Sequence, residues 1–203
     1  MADELTVFIV DDDAGVRDAL GLLLGIHGYR IAPFANSEDF LTAWRREWLG
    51  CLVLDIRMDG MDGLALQRHL NALGCPLPVI VITGHADVDL ARQAFRAHAK
   101  DFLEKPLDEG KLIHAIEEAF ADVRQAITSS GERAGARSLM PTLTAREREV
   151  MQLVVAGRHN RDIAVALAIS PRTVEVHKAR LMAKLRVDNV ADLVRMSMLG
   201  EAP

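Results

Sequence analysis

Three carboxylates in the first half of the chain directly follow apolar runs. Asp55 comes after residues 51–54, which are cysteine, leucine, valine and leucine, and Asp11 and Asp12 come after the apolar residues 7–10. Such continuous runs are typical of strands that are buried on both faces of a parallel sheet. Because ligands bind at the carboxyl ends of parallel strands, we expect the three carboxylates to meet at one edge of the sheet.

Carboxylates that lie close together repel one another. One of them must be protonated or a cation must lie between them, and a hard divalent cation such as Mg²⁺ is the simpler solution. Thr83 and Lys105 end two further predicted strands, so a hydroxyl group and an ammonium group are expected at the same edge. This set suits phosphoryl transfer, in which a cation and a lysine offset the charge of the phosphoryl oxygens while an in-line oxygen attacks. The alternative is a solvated acidic edge.

The elements that would position these side chains are five strands alternating with five helices over residues 5–127. Strict alternation predicts a parallel sheet with right-handed crossovers and helices on both faces. Five strands in this length predict an α/β domain of the flavodoxin-like, doubly wound (βα)5 type, in which the first and third strands lie side by side. Pro33 indicates that the second strand lies at an edge, because proline cannot donate a ladder hydrogen bond.

The charge distribution divides the chain into two halves. Residues 1–127 contain 12 Lys and Arg against 21 Asp and Glu, whereas residues 141–203 contain 10 against 7. An acidic half joined to a mildly basic half indicates two different functions, and only the second half suits a polyanion. Between them, residues 128–140 are small and polar with two glycines, which predicts a linker. The last helix of the first half is expected to end near residue 127, although it could extend into this segment.

The second half is predicted to be entirely helical. Thr144 and Glu147 have the spacing of a capping box, and Asn160 is predicted to cap a short helix. Ser170 begins a longer helix over residues 171–185, and a fourth helix is expected near the end of the chain. Two helices that are joined by a short turn are typical of a helix-turn-helix.

Composition argues against several other classes of protein. The 203 residues are 50% hydrophobic, which is enough for two cores, yet no apolar run approaches the length of a membrane span. The first residues are not expected to form a secretory signal, since they lack a basic segment followed by an apolar one. The cysteines, Cys51 and Cys75, provide no disulfide framework and no zinc-ligand spacing, and a cytoplasmic protein is expected.

The acidic half resembles the receiver domain of bacterial two-component response regulators. The matching motifs over residues 5–125 are Val10-Asp11-Asp12, Leu54-Asp55, Thr83-Gly84 and Lys105-Pro106. The resemblance implies that Asp55 accepts a phosphoryl group from a sensor histidine kinase. It also implies that Thr83 and Lys105 are the other catalytic residues of the site.

The same resemblance implies a metal site and a conformational switch. The implied Mg²⁺ ligands are Asp12, Asp55 and the backbone carbonyl of Arg57, with Asp11 acting through water. Thr83 and Phe102 match the family's switch pair, in which the hydroxyl group moves to the phosphate and the aromatic ring turns inward. Three positions depart from the family pattern: Asp59 stands where proline is common, His98 where glycine is common, and Leu107 where phenylalanine is frequent. None of these departures removes a catalytic group.

The basic half resembles the LuxR-type helix-turn-helix, and most of all the FixJ subgroup of the NarL/FixJ family. The matching residues are Leu143, Thr144, Arg146, Glu147, Glu149, Val150, Gly157, Asn160, Ile163, Ala164, Leu167, Ile169, Ser170, Thr173, Val174, His177, Lys184 and Leu185. The predicted organisation is therefore a receiver domain over residues 1–125, a linker over residues 126–140 and a DNA-binding domain over residues 141–203.

The recognition helix is expected over residues 171–185. Helical spacing predicts that its buried side chains are those of Val174, Leu181 and Leu185. The side chains that then face outward, where family members read base edges, are those of Glu175, Val176 and Ala179. Glu175 can accept a hydrogen bond from a cytosine amino group and Val176 can contact a thymine methyl group, although Glu175 could equally be a solvated charge.

The residues that suit phosphate contacts are Arg172, Thr173, Lys178, Arg180 and Lys184. His177 is expected to bond to phosphate or backbone rather than to a metal.

The two resemblances together imply a transcription factor rather than an enzyme. Phosphorylation of Asp55 adds roughly −1.5 to −2 units of charge and is expected to shift the receiver to an active, dimeric state. The second domain then binds double-stranded promoter DNA and regulates transcription, most commonly by activation, with RNA polymerase as a further candidate partner.

Phosphatases of the haloacid dehalogenase type also use an aspartate and Mg²⁺, but they need a second acid at the position of Arg57. A DNA-binding regulator whose receiver works without phosphorylation is the remaining alternative.

Overall fold

Two compact units make up the chain in its computed structural model. The structure describes residues 5–84 and 88–200, and the units divide between Gln125 and Ala126. The first four residues of the predicted receiver range and the last three of the predicted DNA-binding range lie outside the described residues. None of the described helices is long and apolar enough to cross a membrane.

The first unit is a five-stranded parallel sheet with helices between its strands. The strands are β1 (Thr6–Val10), β2 (Arg30–Phe34), β3 (Gly50–Asp55), β4 (Val79–Thr83) and β5 (Ala99–Glu104). The helices are α1 (Ala14–Ile26), α2 (Ser37–Ala43), α3 (Gly63–Ala72), α4 (Val88–Arg96) and α5 (Glu109–Leu139). The strand order β2-β1-β3-β4-β5 confirms the flavodoxin-like, doubly wound topology and places Pro33 in an edge strand, as predicted.

Burial explains why the central strands are continuous apolar runs. Every residue of β3 and β4 is buried, and β1 is buried except for Thr6. The ring of Phe8 stacks on Trp48 with ring centroids 4.5 Å apart, and it meets Phe40 edge to face at 6.2 Å. Removal of this apolar area from water stabilises the domain, and aromatic pairs add to that stabilisation. The sheet is therefore a rigid support for the side chains at its carboxyl edge.

The strand register determines which polar side chains meet at that edge. Val10 pairs with Leu54 across β1 and β3, and Asp55 pairs with Ile82 across β3 and β4. Asp11, which follows β1, is therefore placed beside the last residue of β3.

The helix α5 is longer than predicted. Its expected end near residue 127 was wrong, and the alternative that it extends into the small polar segment is confirmed, because it ends at Leu139. Residues 128–135 are mostly exposed, whereas Ala136 is buried and Leu139 packs against the core of the second unit. Packing at this end outweighs the low helix propensity of the two glycines. The function of residues 126–140 as a linker stays a prediction.

Replacing Gly131 and Gly135 of α5 with alanine is expected to stabilise this part of the helix. A Cβ at either position would meet nothing within 4 Å. Each replacement of an interior helical glycine by alanine contributes about 0.5–1 kcal/mol. Far-UV circular dichroism of the full chain during heating measures the effect, and the double variant is expected to retain its helix to a higher temperature. Gly28→Ala is the control, because Gly28 has a φ of +80° and an alanine there is strained. A double variant that melts with the wild type would contradict the prediction.

The second unit adds a short turn and four helices to the end of α5. These are a 3₁₀ turn (Met140–Thr142), α6 (Ala145–Val155), α7 (Asn160–Ala166), α8 (Pro171–Leu185) and α9 (Val190–Gly200). The predicted capping box is present, because the Thr144 hydroxyl accepts from the Glu147 N–H and the Glu147 carboxylate accepts from the Thr144 N–H. The predicted cap at Asn160 was wrong, since His159 is the N-cap residue and Asn160 is the first residue of α7.

The helices α7 and α8 form a helix-turn-helix over a small apolar core. The predicted long helix over residues 171–185 is confirmed, and the Ser170 hydroxyl accepts from the Thr173 N–H at its start. The fully buried side chains of this core are Val150, Ile163, Val174, Leu181, Leu185 and Leu193. Because these apolar contacts join α6, α7, α8 and α9, the outward face of α8 is held by the rest of the unit.

Candidate functional site

The carboxyl edge of the sheet brings the three predicted carboxylates together. One carboxylate oxygen from each of Asp11, Asp12 and Asp55 lies within 4.8 Å of the other two. Asp11 is fully buried and Asp55 is 4% exposed, whereas Asp12 is exposed. The pairing of β1 with β3 produces this cluster, because two of the residues follow β1 and the third ends β3.

Lys105 contacts two of these carboxylates directly. Its Nζ lies 2.7 Å from Oδ2 of Asp11 and 3.0 Å from Oδ1 of Asp55. Burial alone would lower the pKa of Lys105, but the hydrogen bonds to Asp11 and Asp55 outweigh that effect, and the pKa is raised. The lysine therefore keeps its positive charge and balances part of the negative charge at this edge.

The pKa of Asp55 is raised, and the excess of negative charge that Lys105 does not balance contributes to this rise. Burial is the largest cause that raises the pKa of Asp55, the nearby Asp11 and Asp12 raise it further, and Lys105 opposes them. A divalent cation among the carboxylates would remove this excess, and oxygen ligands of this kind are those that Mg²⁺ prefers. The donor set of the cluster thus fits Mg²⁺.

The two residues of the predicted switch pair lie on neighbouring strands. Thr83 ends β4 and is fully buried, and its carbonyl oxygen accepts from the Lys105 N–H at 2.7 Å. Phe102 pairs with Val81 across β4 and β5 and is half-buried against the apolar core. Thr83 is therefore at the edge with Asp55, and Phe102 lies nearer the middle of its strand. Their function as a switch stays a prediction.

A groove of about 500 Å³ runs beside the acidic cluster. Its lining includes Asp12, Arg57 and Asp59. The backbone N–H of Asp59 donates to the Asp12 carboxylate at 3.1 Å, so the loop after β3 helps to orient that carboxylate. Arg57 is exposed, and the metal contact of its carbonyl stays a prediction.

Two further residues support the cluster and were not predicted from the sequence. Arg17, in the first turn of α1, donates from its guanidinium group to the Asp11 carbonyl at 2.7 Å. Gly63, the first residue of α3, lies so close to β3 that a Cβ would be 2.0 Å from the Asp55 carbonyl oxygen. The sequence signals that could have found them are a basic residue one turn after the acidic run and a glycine at the start of a helix.

The outward face of α8 is the second candidate site. The inward residues are fully buried, as predicted, and these are Val174, Leu181 and Leu185. The predicted base-reading residues are all exposed, and these are Glu175, Val176 and Ala179. Arg172 and Arg180 are also exposed, while Thr173 and Lys178 are half-buried. The structure therefore presents a polar surface with a net positive charge along one helix.

Lys184 and His177 are placed differently from the other predicted DNA-contacting residues. Nζ of Lys184 lies 2.6 Å from Oε2 of Glu147 and 3.1 Å from the Thr142 carbonyl oxygen. Nδ1 of His177 is buried and has no hydrogen-bond partner among the described residues. Lys184 thus has a structural role in joining α8 to α6, and the phosphate contacts of both residues stay predictions.

The architecture defines a class of protein. A doubly wound sheet that carries acidic residues and a lysine at its carboxyl edge, followed by a helix-turn-helix, is the organisation of a response regulator with a DNA-binding output domain. Residues 7–117 match the response regulator receiver domain, and residues 141–197 match the luxR family of bacterial regulatory proteins. The chain therefore belongs to the response regulators that join a receiver domain to a LuxR-type DNA-binding domain.

Full-length relatives agree with this assignment. The transcriptional regulatory protein FixJ of Rhizobium meliloti (strain 1021) is 42% identical over 197 residues, which cover 97% of this chain and 97% of that protein. The solved structure of the response regulator StyR matches with a TM-score of 0.78 and 38% identity, over 96% of this chain and 98% of StyR. Full-length FixJ from B. japonicum matches with a TM-score of 0.62 and 37% identity, over 97% of both chains.

Proposed function

We propose that this response regulator is controlled by phosphorylation of Asp55, with a sensor histidine kinase as the donor. The observation that carries the proposal is the convergence of Asp11, Asp12, Asp55 and Lys105 at one edge of the sheet. Asp55 offers a carboxylate oxygen as the nucleophile, and Lys105 holds that carboxylate and lies where it can balance charge on a transferred phosphoryl group.

The proposed Mg²⁺ ligands are those of the receiver pattern. They are the carboxylates of Asp12 and Asp55 and the backbone carbonyl of Arg57, with Asp11 acting through water. Mg²⁺, when bound, offsets the charge of the phosphoryl oxygens. The buried Asp11 remains bonded to Lys105, which keeps the ammonium group beside the acceptor.

The proposed response to phosphorylation is a population shift. The phosphoryl group adds roughly −1.5 to −2 units of charge at Asp55, the hydroxyl of Thr83 moves to it, and the ammonium of Lys105 balances part of the charge. Phe102 then turns inward, and the face formed by α4 and β5 becomes a dimer interface. A shift from mostly inactive to mostly active needs about 5.5 kcal/mol of differential stabilisation, to which dimer contacts contribute.

The proposed output is DNA binding by α8. In a dimer, two helix-turn-helix units could bind half-sites about one helical turn apart. The proposed base contacts are made by Glu175, Val176 and Ala179. The proposed phosphate contacts are made by Arg172, Thr173, His177, Lys178, Arg180 and Lys184. Regulation of transcription, with activation as the expected direction, follows from promoter binding.

The test compares the wild type with Asp55→Asn by sedimentation velocity and DNA binding, each with and without acetyl phosphate and Mg²⁺. Only the wild type is expected to form a dimer, and its affinity for a duplex is expected to rise about tenfold or more, which corresponds to about 1.4 kcal/mol. Asp18→Asn is the matched control, since it removes an exposed carboxylate of α1 and is expected to keep the response. If Asp55→Asn responds like the wild type, Asp55 is not the acceptor. If neither responds and both bind DNA, the alternative of a receiver that works without phosphorylation is favoured.

A further inference from the structure

The side chain of Gln67 joins two helices of the first unit. It belongs to α3 and is fully buried. Its Nε2 donates to the Ala97 carbonyl at 2.9 Å and to the Ala94 carbonyl at 3.4 Å. Asn71, one turn further along α3, donates from Nδ2 to the same Ala97 carbonyl at 2.6 Å. Gln67 and Asn71 together are the amide clamp.

The amide clamp fixes the C-terminal end of α4. Ala94 lies in the last turn of this helix, and Ala97 directly follows it. The last carbonyls of an α-helix have no partner within the helix, so water or side chains must satisfy them. Because the donors in this case belong to a neighbouring helix, the same bonds determine where α4 ends relative to α3.

The helix α4 has few apolar anchors of its own. Ala94 is the one buried residue among its described residues, and Leu90 is half-buried against the core. The large apolar side chains of Val88 and Phe95 are exposed. An element with few buried apolar contacts changes its position at a low cost in free energy. The bonds of the amide clamp therefore contribute much of what holds the end of α4.

In contrast, α3 is a firm support. It buries Leu64, Leu66 and Leu70 in the apolar core, and Gly63 at its start lies directly against the Asp55 carbonyl. The start of α3 is therefore fixed to the strand that carries the proposed phosphoryl acceptor. The amide clamp lies about one and two turns further along the same helix, away from the carboxyl edge of the sheet.

We propose that Gln67 is a positioning residue that makes the C-terminal end of α4 a pivot, an inference that rests on the proposed phosphorylation of Asp55. The N-terminal end of α4 follows β4, which ends at Thr83, whereas the clamped end leads into β5 and Phe102. When the Thr83 hydroxyl moves to the phosphoryl group, the near end of α4 follows it and the clamp holds the far end. The helix then reorients as one body, and the face formed by α4 and β5 becomes the dimer interface.

The hydrogen bonds of Gln67 suit positioning better than they suit stability. Both carbonyl partners need a donor, so the amide nitrogen faces them. The Oε1 atom is also buried and has no hydrogen-bond partner among the described residues. An unpaired buried acceptor costs free energy. A methionine of similar length loses the two bonds but also removes this cost, and we expect Gln67→Met to remain folded.

The test compares the full-length wild type and Gln67→Met, each with and without acetyl phosphate and Mg²⁺. Mass spectrometry measures the phosphorylated fraction, and sedimentation velocity measures the dissociation constant of the dimer. The variant is expected to be phosphorylated like the wild type, because the clamp does not contact Asp55. Its phosphorylated form is expected to dimerise about tenfold more weakly, which is within the range of coupling between two sites of a protein.

Two further variants complete the comparison. Asn71→Ala removes the exposed donor of the clamp and is expected to cause a smaller loss of dimer affinity, and it is the variant to measure if Gln67→Met does not fold. Gln125→Met is the matched control, since it makes the same substitution at an exposed position of α5 and is expected to dimerise like the wild type.

Unchanged dimer affinity in the clamp variants would overturn the pivot, because a purely structural contact changes only the stability of the fold. A variant that dimerises without acetyl phosphate would overturn it as well, since the clamp would then restrain α4. Loss of phosphorylation in Gln67→Met alone would show that this residue supports the acceptor site instead. If the wild type is not phosphorylated, or is phosphorylated without forming a dimer, the proposed function fails and the pivot fails with it.

Discussion

Lys105→Met is expected to lower the free energy of unfolding of the receiver domain by about 3–5 kcal/mol when no divalent cation is present. Lys105 lies 2.7 Å from Asp11 and 3.0 Å from Asp55, and these carboxylates are fully buried and 4% exposed. The variant leaves both carboxylates at the edge of the sheet without their cation. Removal of one partner of a buried ion pair is costly because the other charge stays buried.

Tryptophan fluorescence during urea unfolding measures this loss in the full chain. Both tryptophans, Trp44 and Trp48, belong to the first unit, so their emission reports on the receiver domain. The control is Lys100→Met in β5, the strand that Lys105 directly follows. Lys100 pairs with Asp122, but the two side chains are 28% and 53% exposed, and such a surface pair contributes only about 0–1 kcal/mol. Equal losses in the two variants would contradict the prediction.

Two further measurements separate loss of charge from loss of packing as the cause of this destabilisation. Mg²⁺ is expected to stabilise Lys105→Met more than the wild type, because the variant has a larger uncompensated charge at the carboxylates. Adding Asp55→Asn to Lys105→Met is expected to recover part of the lost stability, since one carboxylate is removed. If neither change restores stability, the loss comes from the packing of the lysine stem.

The carboxyl edge of the sheet could be predicted because it follows from two simple rules. Apolar runs that end in polar residues predict strands, and parallel strands of this topology end at one edge. These rules place Asp11, Asp55 and Thr83 together, and they place Lys105 at the same edge. The sequence could not show that Lys105 bonds to Asp11 as well as to Asp55, because that choice depends on side-chain conformation.

Other features depend on contacts or backbone angles that local patterns do not contain. The polar segment after residue 127 continues α5 because Ala136 is buried and Leu139 packs against the apolar core of the second unit. His98, where the family commonly has glycine, has a φ of +64°, and this left-handed conformation explains why glycine is suited to the position. Lys184 had the spacing of a phosphate contact, yet it bonds to a residue 37 positions earlier in another helix.

That contact, between Lys184 and Glu147, is expected to make the DNA-binding domain sensitive to acid. The hydrogen bond from Lys184 is the largest cause that lowers the pKa of Glu147 from 4.5 to about 2, and the Thr144 N–H contributes. The unfolded chain therefore binds a proton at Glu147 at a higher pH than the folded chain does. The stability that the Glu147 carboxylate contributes is fully present above about pH 4.5, and it is lost as the pH falls toward about 2.

Glu147→Gln is expected to remove this pH dependence and to lower the stability of the domain at neutral pH by about 1.5–3 kcal/mol, the range for a hydrogen bond to a charged group. Far-UV circular dichroism follows both units during unfolding, and tryptophan fluorescence follows the first, so a change seen only by circular dichroism belongs to the second. Glu149→Gln is the control on the same helix, because the Arg146–Glu149 pair is 32% and 49% exposed. A variant that keeps the acid sensitivity of the wild type would show that Glu147 is not its source.

Lys184→Met tests the same pair from the other side and separates the two roles of this lysine. Without Lys184, the Glu147 carboxylate stays buried and loses its strongest partner, so its pKa is expected to rise and stability at neutral pH to fall. If Lys184 is purely structural, the folded Lys184→Met variant has the same salt dependence of DNA binding as the wild type. If Lys184 also contacts phosphate, the slope of log affinity against log salt is smaller in the Lys184→Met variant by about 0.9. Because Lys184 is among the proposed phosphate contacts, we expect the smaller slope, while the bonds of its Nζ to Glu147 and to the Thr142 carbonyl account for the loss of stability.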